Sequence, residues 1–319
     1  MNTLDLLSGP DLYPAIIAAL VISLMGAVLS VFVVLKRLAF IGQGVSHAAF
    51  GGVGVALILG FHGATAAGQL AQMSIVVVFS IFAALMIAAL MRSQKGRTDT
   101  AIGVVLSASM ALGFILFAIN EARHDHPPAA AIAETQTDHA DHADHDHGAQ
   151  GMQSAHSDEH HVIEEILFGN ILDTDWTKAL TALFTSAAIM VIVWAIRRRL
   201  IFWAFDEPVC DAFGINAKRM TAALLVLLAV AVVMAMQVVG VILAAAALIL
   251  PGAAALNLSA NLRTVFVWSI AIALLGTVLG LMIGFETGYP VGPCIVLVQS
   301  AVYLASLLTK WAPRPLRSG

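Results

Sequence analysis

Nine of the eleven histidines in this 319-residue chain fall between His124 and His161, a polar stretch inside a sequence that is otherwise almost continuously apolar. They are His124, His126, His139, His142, His145, His147, His156, His160 and His161, interleaved with Asp125, Asp138, Asp141, Asp144, Asp146, Asp158 and Glu159. Neutral imidazole and carboxylate suit zinc and its borderline neighbours, and no thiolate lies nearby to suggest a cuprous or iron–sulfur site. The spacing is irregular and the filler is Ala, Gly, Ser and Gln, so the segment 121–163 is predicted to be a disordered loop that collects metal weakly at several places. A solvated linker with idle histidines is the competing reading of the same composition.

A second candidate stands alone. His47 lies in RLAFIGQGVSHAAFGGVGVAL, ten residues past Arg37, which at 1.5 Å per residue places it roughly 15 Å into a hydrocarbon core about 30 Å thick. A histidine at that depth is costly, and so marks either an ion path or a packing contact with a carbonyl of a neighbouring helix. Gln43 is four residues earlier and shares its face; Ser46 is adjacent. Gly44, Gly51, Gly52 and Gly54 remove bulk, which lets a neighbouring helix or an ion come close. Ser107 and Ser109 could add oxygens from another span, although serine often bonds its own helix.

A third polar cluster, FDEPVCDAFGINAKR, reads as a short acidic helix started by Pro208 and ended by Gly214, within a loop spanning 197–219. It could dock on another protein or be a surface turn. Cys210 lies in it and Cys294 lies in a predicted span, which argues against a disulfide between them.

Apolar helices must position these groups. The chain is 60% hydrophobic and 11% charged, with mean hydropathy +0.90, far too apolar for a soluble enzyme of its size. Spans of about 20 residues are predicted at 14–35, 39–60, 72–91, 100–119, 179–196, 220–237, 239–258, 264–284 and 291–309, nine in all, or eight if 220–258 is not divided at Gln237–Gly240. The fold class is therefore an all-α polytopic membrane protein forming a single domain over 1–319. Pro251 is expected to kink the seventh span, and GFETGYPVGP to form a kinked or re-entrant segment. Trp176 is expected to anchor the start of the fifth span at the interface.

Lys36, Arg37, Arg92, Lys95, Arg97, Arg197 to Arg199, Lys218, Arg219, Arg263 and Lys310 fall at alternate span ends, which puts those ends in the cytoplasm. The N-terminus and the histidine-rich loop are then outside and the C-terminus inside. The net charge of −4 comes mostly from the loop and implies no nucleic-acid partner. No GxxxxGK[ST] stretch is present to hold nucleotide, and no HExxH or serine elbow to suggest a hydrolase.

RLAFIGQGVSHAAFGGVGVAL, FDEPVCDAFGINAKR and QVVGVILAAAALILPGAAALNLSANLR together resemble the signature stretches of the ABC-3 type permeases, which import zinc, manganese or iron. LFGNIL and GYPVGPCIVLV fit the same family, in the same order, over nearly the whole chain. The resemblance implies a type II importer permease in a bacterial inner membrane, surrounded by lipid and paired as a homodimer. Its partners would be cytoplasmic ATP-binding subunits and an extracytoplasmic metal-binding protein. No permanently bound cofactor is implied, since the divalent metal, Zn2+ as the leading candidate, is cargo, and the chain itself is not an enzyme. Asp206, Glu207, Pro208, Ala212 and Gly214 match the segment that couples to the ATPase. His47 matches a channel histidine whose usual acidic neighbour, four residues earlier, is here Gln43, a poor zinc ligand beside a carboxylate. Relative to the family, the histidine-rich loop is an insertion.

Two other functions compete with an ATP-driven importer. A proton-coupled metal transporter would be expected to carry mid-span carboxylates, which are not evident. A metal sensor would be expected to have an output domain.

Overall fold

Long runs of helix-compatible apolar residues can satisfy their backbone in a bilayer only by forming helices or closed barrels, and here they form helices. The computed structural model describes residues 12–61, 66–93, 98–124, 171 and 174–311. Its α-helices are α1 (Tyr13–Leu35), α2 (Ile41–Ile58), α3 (Ala66–Ser93), α4 (Thr98–His124), α5 (Trp176–Phe205), α6 (Ala217–Ala247), α7 (Leu250–Leu258), α8 (Leu262–Thr287) and α9 (Val291–Trp311). A 3-10 helix, Glu207–Phe213, lies between α5 and α6.

The ends follow local chemistry. Asn216 and Asn261 cap α6 and α8 by accepting from the backbone N–H of Arg219 and Arg263, each at 3.1 Å. Gly214 and Gly288 take left-handed conformations that close the 3-10 helix and α8. Three residues, 288–290, connect α8 to α9, so of the kinked or re-entrant forms expected for GFETGYPVGP the re-entrant one is not found.

Among the described residues, eight helical stretches are long and apolar enough to cross a membrane. One of them, 217–258, has 42 residues and if straight would reach about 63 Å, twice the hydrocarbon thickness. Gly240, with φ 77° and ψ 169°, breaks it. Before the break, Leu224 to Val232 share a core cluster with Met25 to Val33, and Ala235 to Val239 share one with Ala15 to Ile22, so this half runs antiparallel to α1. Beyond it, Ala247 lies against Gly26, Gly252 against Ser30, and Ala255 clusters with Val31. The second half therefore runs parallel to α1, and with this reversal the described residues make nine passes, divided at Gly240, within the predicted Gln237–Gly240 stretch. The second half breaks again at Ile249, just ahead of Pro251 in the first turn of α7, the expected kink.

Helix α1 is central, packing on α5, α6, α7 and α8. Its 18-residue apolar window is 72% buried, against 22% for α4, which faces outward. A polar seam joins α1 to α8: Ser269 donates to the Ala27 carbonyl at 2.7 Å, Thr277 to Ser23 Oγ at 2.7 Å, and Ser23 to the Ala273 carbonyl at 3.0 Å. Such hydroxyl bonds hold helices together where no hydrophobic driving force acts between them.

Candidate functional site

Helix α2 packs on α3, α4 and α6, and its glycines explain how closely. A Cβ at Gly51 would come within 2.8 Å of the Ser109 carbonyl and 2.9 Å of the Phe79 ring, one at Gly52 within 3.0 Å of the Val76 backbone, and one at Gly44 within 2.6 Å of the Ile102 side chain. A Cβ at Gly54 would come within 3.1 Å of the Leu116 side chain and 3.2 Å of the Gly113 carbonyl. The small residues thus bring helices together, and the space that they leave is filled by α3 and α4.

The same stripe of α2 carries Gln43 and His47, since His47 stands four residues before Gly51 and seven before Gly54. Gln43 is exposed and His47 half-buried, one turn apart, and among the described residues neither side chain has a hydrogen-bond partner. The carbonyl contact that would make His47 a packing residue is therefore not formed there. One turn beyond, Phe50 meets Phe114 and Phe117 with ring centroids 6.2 and 5.8 Å apart. Ser46 points elsewhere: it is buried, and its hydroxyl donates to the Gly42 carbonyl of its own helix at 2.8 Å. Ser109 is buried against α2, whereas Ser107 is exposed. The structure brings Gln43 and His47 to one face and turns Ser46 away from it.

No group of three or more His, Cys, Asp or Glu side chains placed to hold a metal ion occurs among the described residues. His126, His139, His142, His145, His147, His156, His160 and His161 lie outside those residues, while His124 closes α4. Both cysteines are free and buried, and Trp176 opens α5 with its side chain exposed, as expected for an interfacial anchor.

The second polar region sits at one end of the bundle. Helix α5 continues through Arg197 to Arg199 as far as Phe205, so the connector to α6 is shorter than the predicted loop, running from Asp206 to Asn216. Asp206, Glu207, Pro208, Ala212 and Gly214 are all exposed. Phe213 is exposed as well and meets Phe202 edge to face at 5.2 Å. Cys210 is the buried anchor, its thiol donating to the Asp206 carbonyl at 3.3 Å. Burial pushes that thiol above its ordinary pKa, Glu207, Asp206 and Asp211 push it the same way, and Lys36 opposes them.

Lys36, which counted in the sequence only as an orienting charge, proves to be a contact residue. Its Nζ lies 2.6 Å from Glu207 Oε2, donates to the Trp203 carbonyl at 3.2 Å and sits 4.0 Å above the Trp203 ring. Arg92 donates to the Lys218 carbonyl at 3.2 Å. The basic ends of α1, α3 and α5 and the start of α6 are thereby gathered on one face of the bundle, the arrangement that the alternation of charges required.

The chain matches the ABC 3 transport family over residues 10–127 and 152–310. The unmatched gap, 128–151, falls within the histidine-rich segment. The chelated iron transport system membrane protein YfeD of Yersinia pestis is 29% identical over 313 residues, covering 97% of this chain and 90% of that protein. The manganese import system permease protein ScaB of Streptococcus parasanguinis is 28% identical over 292 residues, 92% of this chain and 88% of that one. Among solved structures, PsaBC from Streptococcus pneumoniae in complex with Fab superposes with a TM-score of 0.69 at 28% identity, covering 95% of this chain and 94% of that one. Matched by the family model over well more than half of its length, the chain belongs to the ABC 3 transport family.

Proposed function

We propose that this chain is the membrane permease of an ATP-driven importer of divalent metal. The observation that carries this reading is the family match on both sides of the histidine-rich insertion, together with relatives named for manganese and chelated iron transport. As a transport subunit it is not an enzyme, and ATP is hydrolysed on a separate chain. An extracytoplasmic metal-binding protein delivers the ion, and two copies of the permease enclose the path.

Orientation follows from the basic face. With it in the cytoplasm, the connector 206–216 meets the ATPase and the histidine-rich segment is outside. Exposed Asp206, Glu207, Pro208, Ala212 and Gly214 form the docking surface, and the segment between His124 and His161 raises the local concentration of incoming ion.

His47 is a transient ligand on the path and Gln43 a weak oxygen donor beside it. A neutral amide in place of a carboxylate suits passage, because an ion must leave as well as enter. Ser46 acts through the Gly42 carbonyl that it bonds, holding the turn on which Gln43 and His47 stand.

Zinc is the proposed cargo, on the strength of the imidazole and carboxylate ligands. The names of the relatives favour manganese or iron as a second reading. The test is uptake of zinc, manganese and ferrous iron, each separately, into vesicles holding this chain, its ATPase and its metal-delivery protein. ATP-dependent zinc entry that needs all three components is expected. Entry by this chain alone under a proton gradient would overturn the importer.

A further inference from the structure

Residue Lys36 occupies a junction behind the docking surface, where it pairs with Glu207 of that surface. It caps the C-terminal end of α1, with its side chain only 13% exposed. Its ammonium group has three partners, all on the chain leading into the connector: the Trp203 carbonyl in the last turn of α5, the Trp203 ring, and the Glu207 carboxylate in the 3-10 helix. Trp203 is itself buried, so the contact is backed by the core at one end and reaches the exposed connector at the other.

Immediately after Lys36 the chain makes a tight corner. Arg37, at φ 55°, is the one non-glycine residue with a positive φ in the described chain. Its N–H donates to the Val34 carbonyl at 3.1 Å, and that of Leu38 to the Val33 carbonyl at 2.8 Å, closing the end of α1. The Ile41 N–H then bonds the Leu38 carbonyl at 2.9 Å and opens α2. Leu38 and Ile41 are buried, so the corner is a short, packed link. It leads straight into the helix that carries Gln43 and His47.

We propose that Lys36 is a positioning residue that ties the connector to the α1–α2 corner, so that force on the connector reaches the helix bearing His47. An ion pair with an exposed carboxylate contributes little when isolated. Here the lysine is held by a carbonyl and an aromatic face as well, and its stem is packed, so the connector and the corner share one mechanical joint. Removing the charge keeps every side chain of the connector and loosens its attachment to the α1–α2 corner. This inference rests on the reading that the connector meets the ATPase.

The experiment uses the full complex in proteoliposomes and reads two quantities: metal taken up per ATP hydrolysed, and affinity of the ATPase for the permease. Lys36→Met keeps an apolar stem over the Trp203 ring and removes the ammonium group. The expected result is a fall of about tenfold in metal per ATP, a size usual for coupling between sites, with ATPase affinity held within about twofold. Lys36→Arg should retain most of the coupling, since it keeps a charge that can reach the same acceptors. If Lys36→Met yields no folded permease, Lys36→Gln is measured in the same way. An unchanged ratio overturns the proposal, as does a fall in affinity that accounts for the whole loss of uptake. Failure of the unmutated complex to couple uptake to ATP would refute the importer reading, a result distinct from equal coupling in the mutant and unmutated complexes.

Discussion

Replacing Gly240 by alanine tests the reversal on which the nine passes depend. At φ 77° and ψ 169° this residue lies in a backbone region that is nearly exclusive to glycine, where a Cβ costs about 1–3 kcal/mol. Gly103 is the matched control. It lies within α4, and a Cβ there would meet nothing within 4 Å, so alanine should stabilise that helix by about 0.5–1 kcal/mol. The two variants should therefore differ by about 1.5–4 kcal/mol, at least a tenfold difference in the folding equilibrium. The assay is the fraction of purified permease that remains monodisperse by fluorescence size exclusion after stepwise heating. Because heating a membrane protein is often irreversible, the rank order of the variants is the quantity to compare. The expected order is Gly103→Ala at or above the unmutated chain and Gly240→Ala well below it. A Gly240→Ala protein as heat-resistant as the unmutated chain would refute the reversal at this residue, because no other feature of the break exempts alanine from the backbone cost.

Other perturbations probe the site and the packing. His47→Ala should cut metal uptake without lowering the amount of assembled complex, and unchanged uptake would remove His47 from the path. Deleting residues 128–151 should lower uptake only when metal is scarce; equal uptake at every metal concentration would leave those residues a linker. Gly280→Ala would place a Cβ 2.5 Å from the Ile295 backbone, so it should cost about 1–3 kcal/mol by overpacking α8 on α9, read as a loss of folded yield. The raised pKa of Cys210 means that the reactive thiolate forms only at more alkaline pH than for an ordinary cysteine. Maleimide labelling should therefore be slow near neutral pH and accelerate as pH rises, and fast labelling at neutral pH would contradict the burial.

Much of this protein is legible in its sequence, because a bilayer imposes length and polarity directly on the chain. Runs of apolar residues, Gly240 between two of them, Pro251 just after a break, and Gly214 after Pro208 each act through local backbone or hydropathy rules, and each marks a boundary that the structure keeps. What local rules could not decide is which groups meet. The glycines of α2 could have lined a path or admitted a neighbour, and only the approach of Phe79, Ser109 and Ile102 shows that they admit helices. Ser46 and His47 are adjacent in the chain, yet the helix turn sends one to the Gly42 carbonyl and leaves the other without a partner among the described residues. The charges of Arg197 to Arg199 suggested that the span ends there, but a helix need not stop at a charged cluster, and α5 runs on to Phe205. Lys36 reads in the sequence as one orienting charge among many. Its contacts with Trp203 and Glu207 join residues more than 160 positions apart, and a contact that distant is a product of tertiary packing alone.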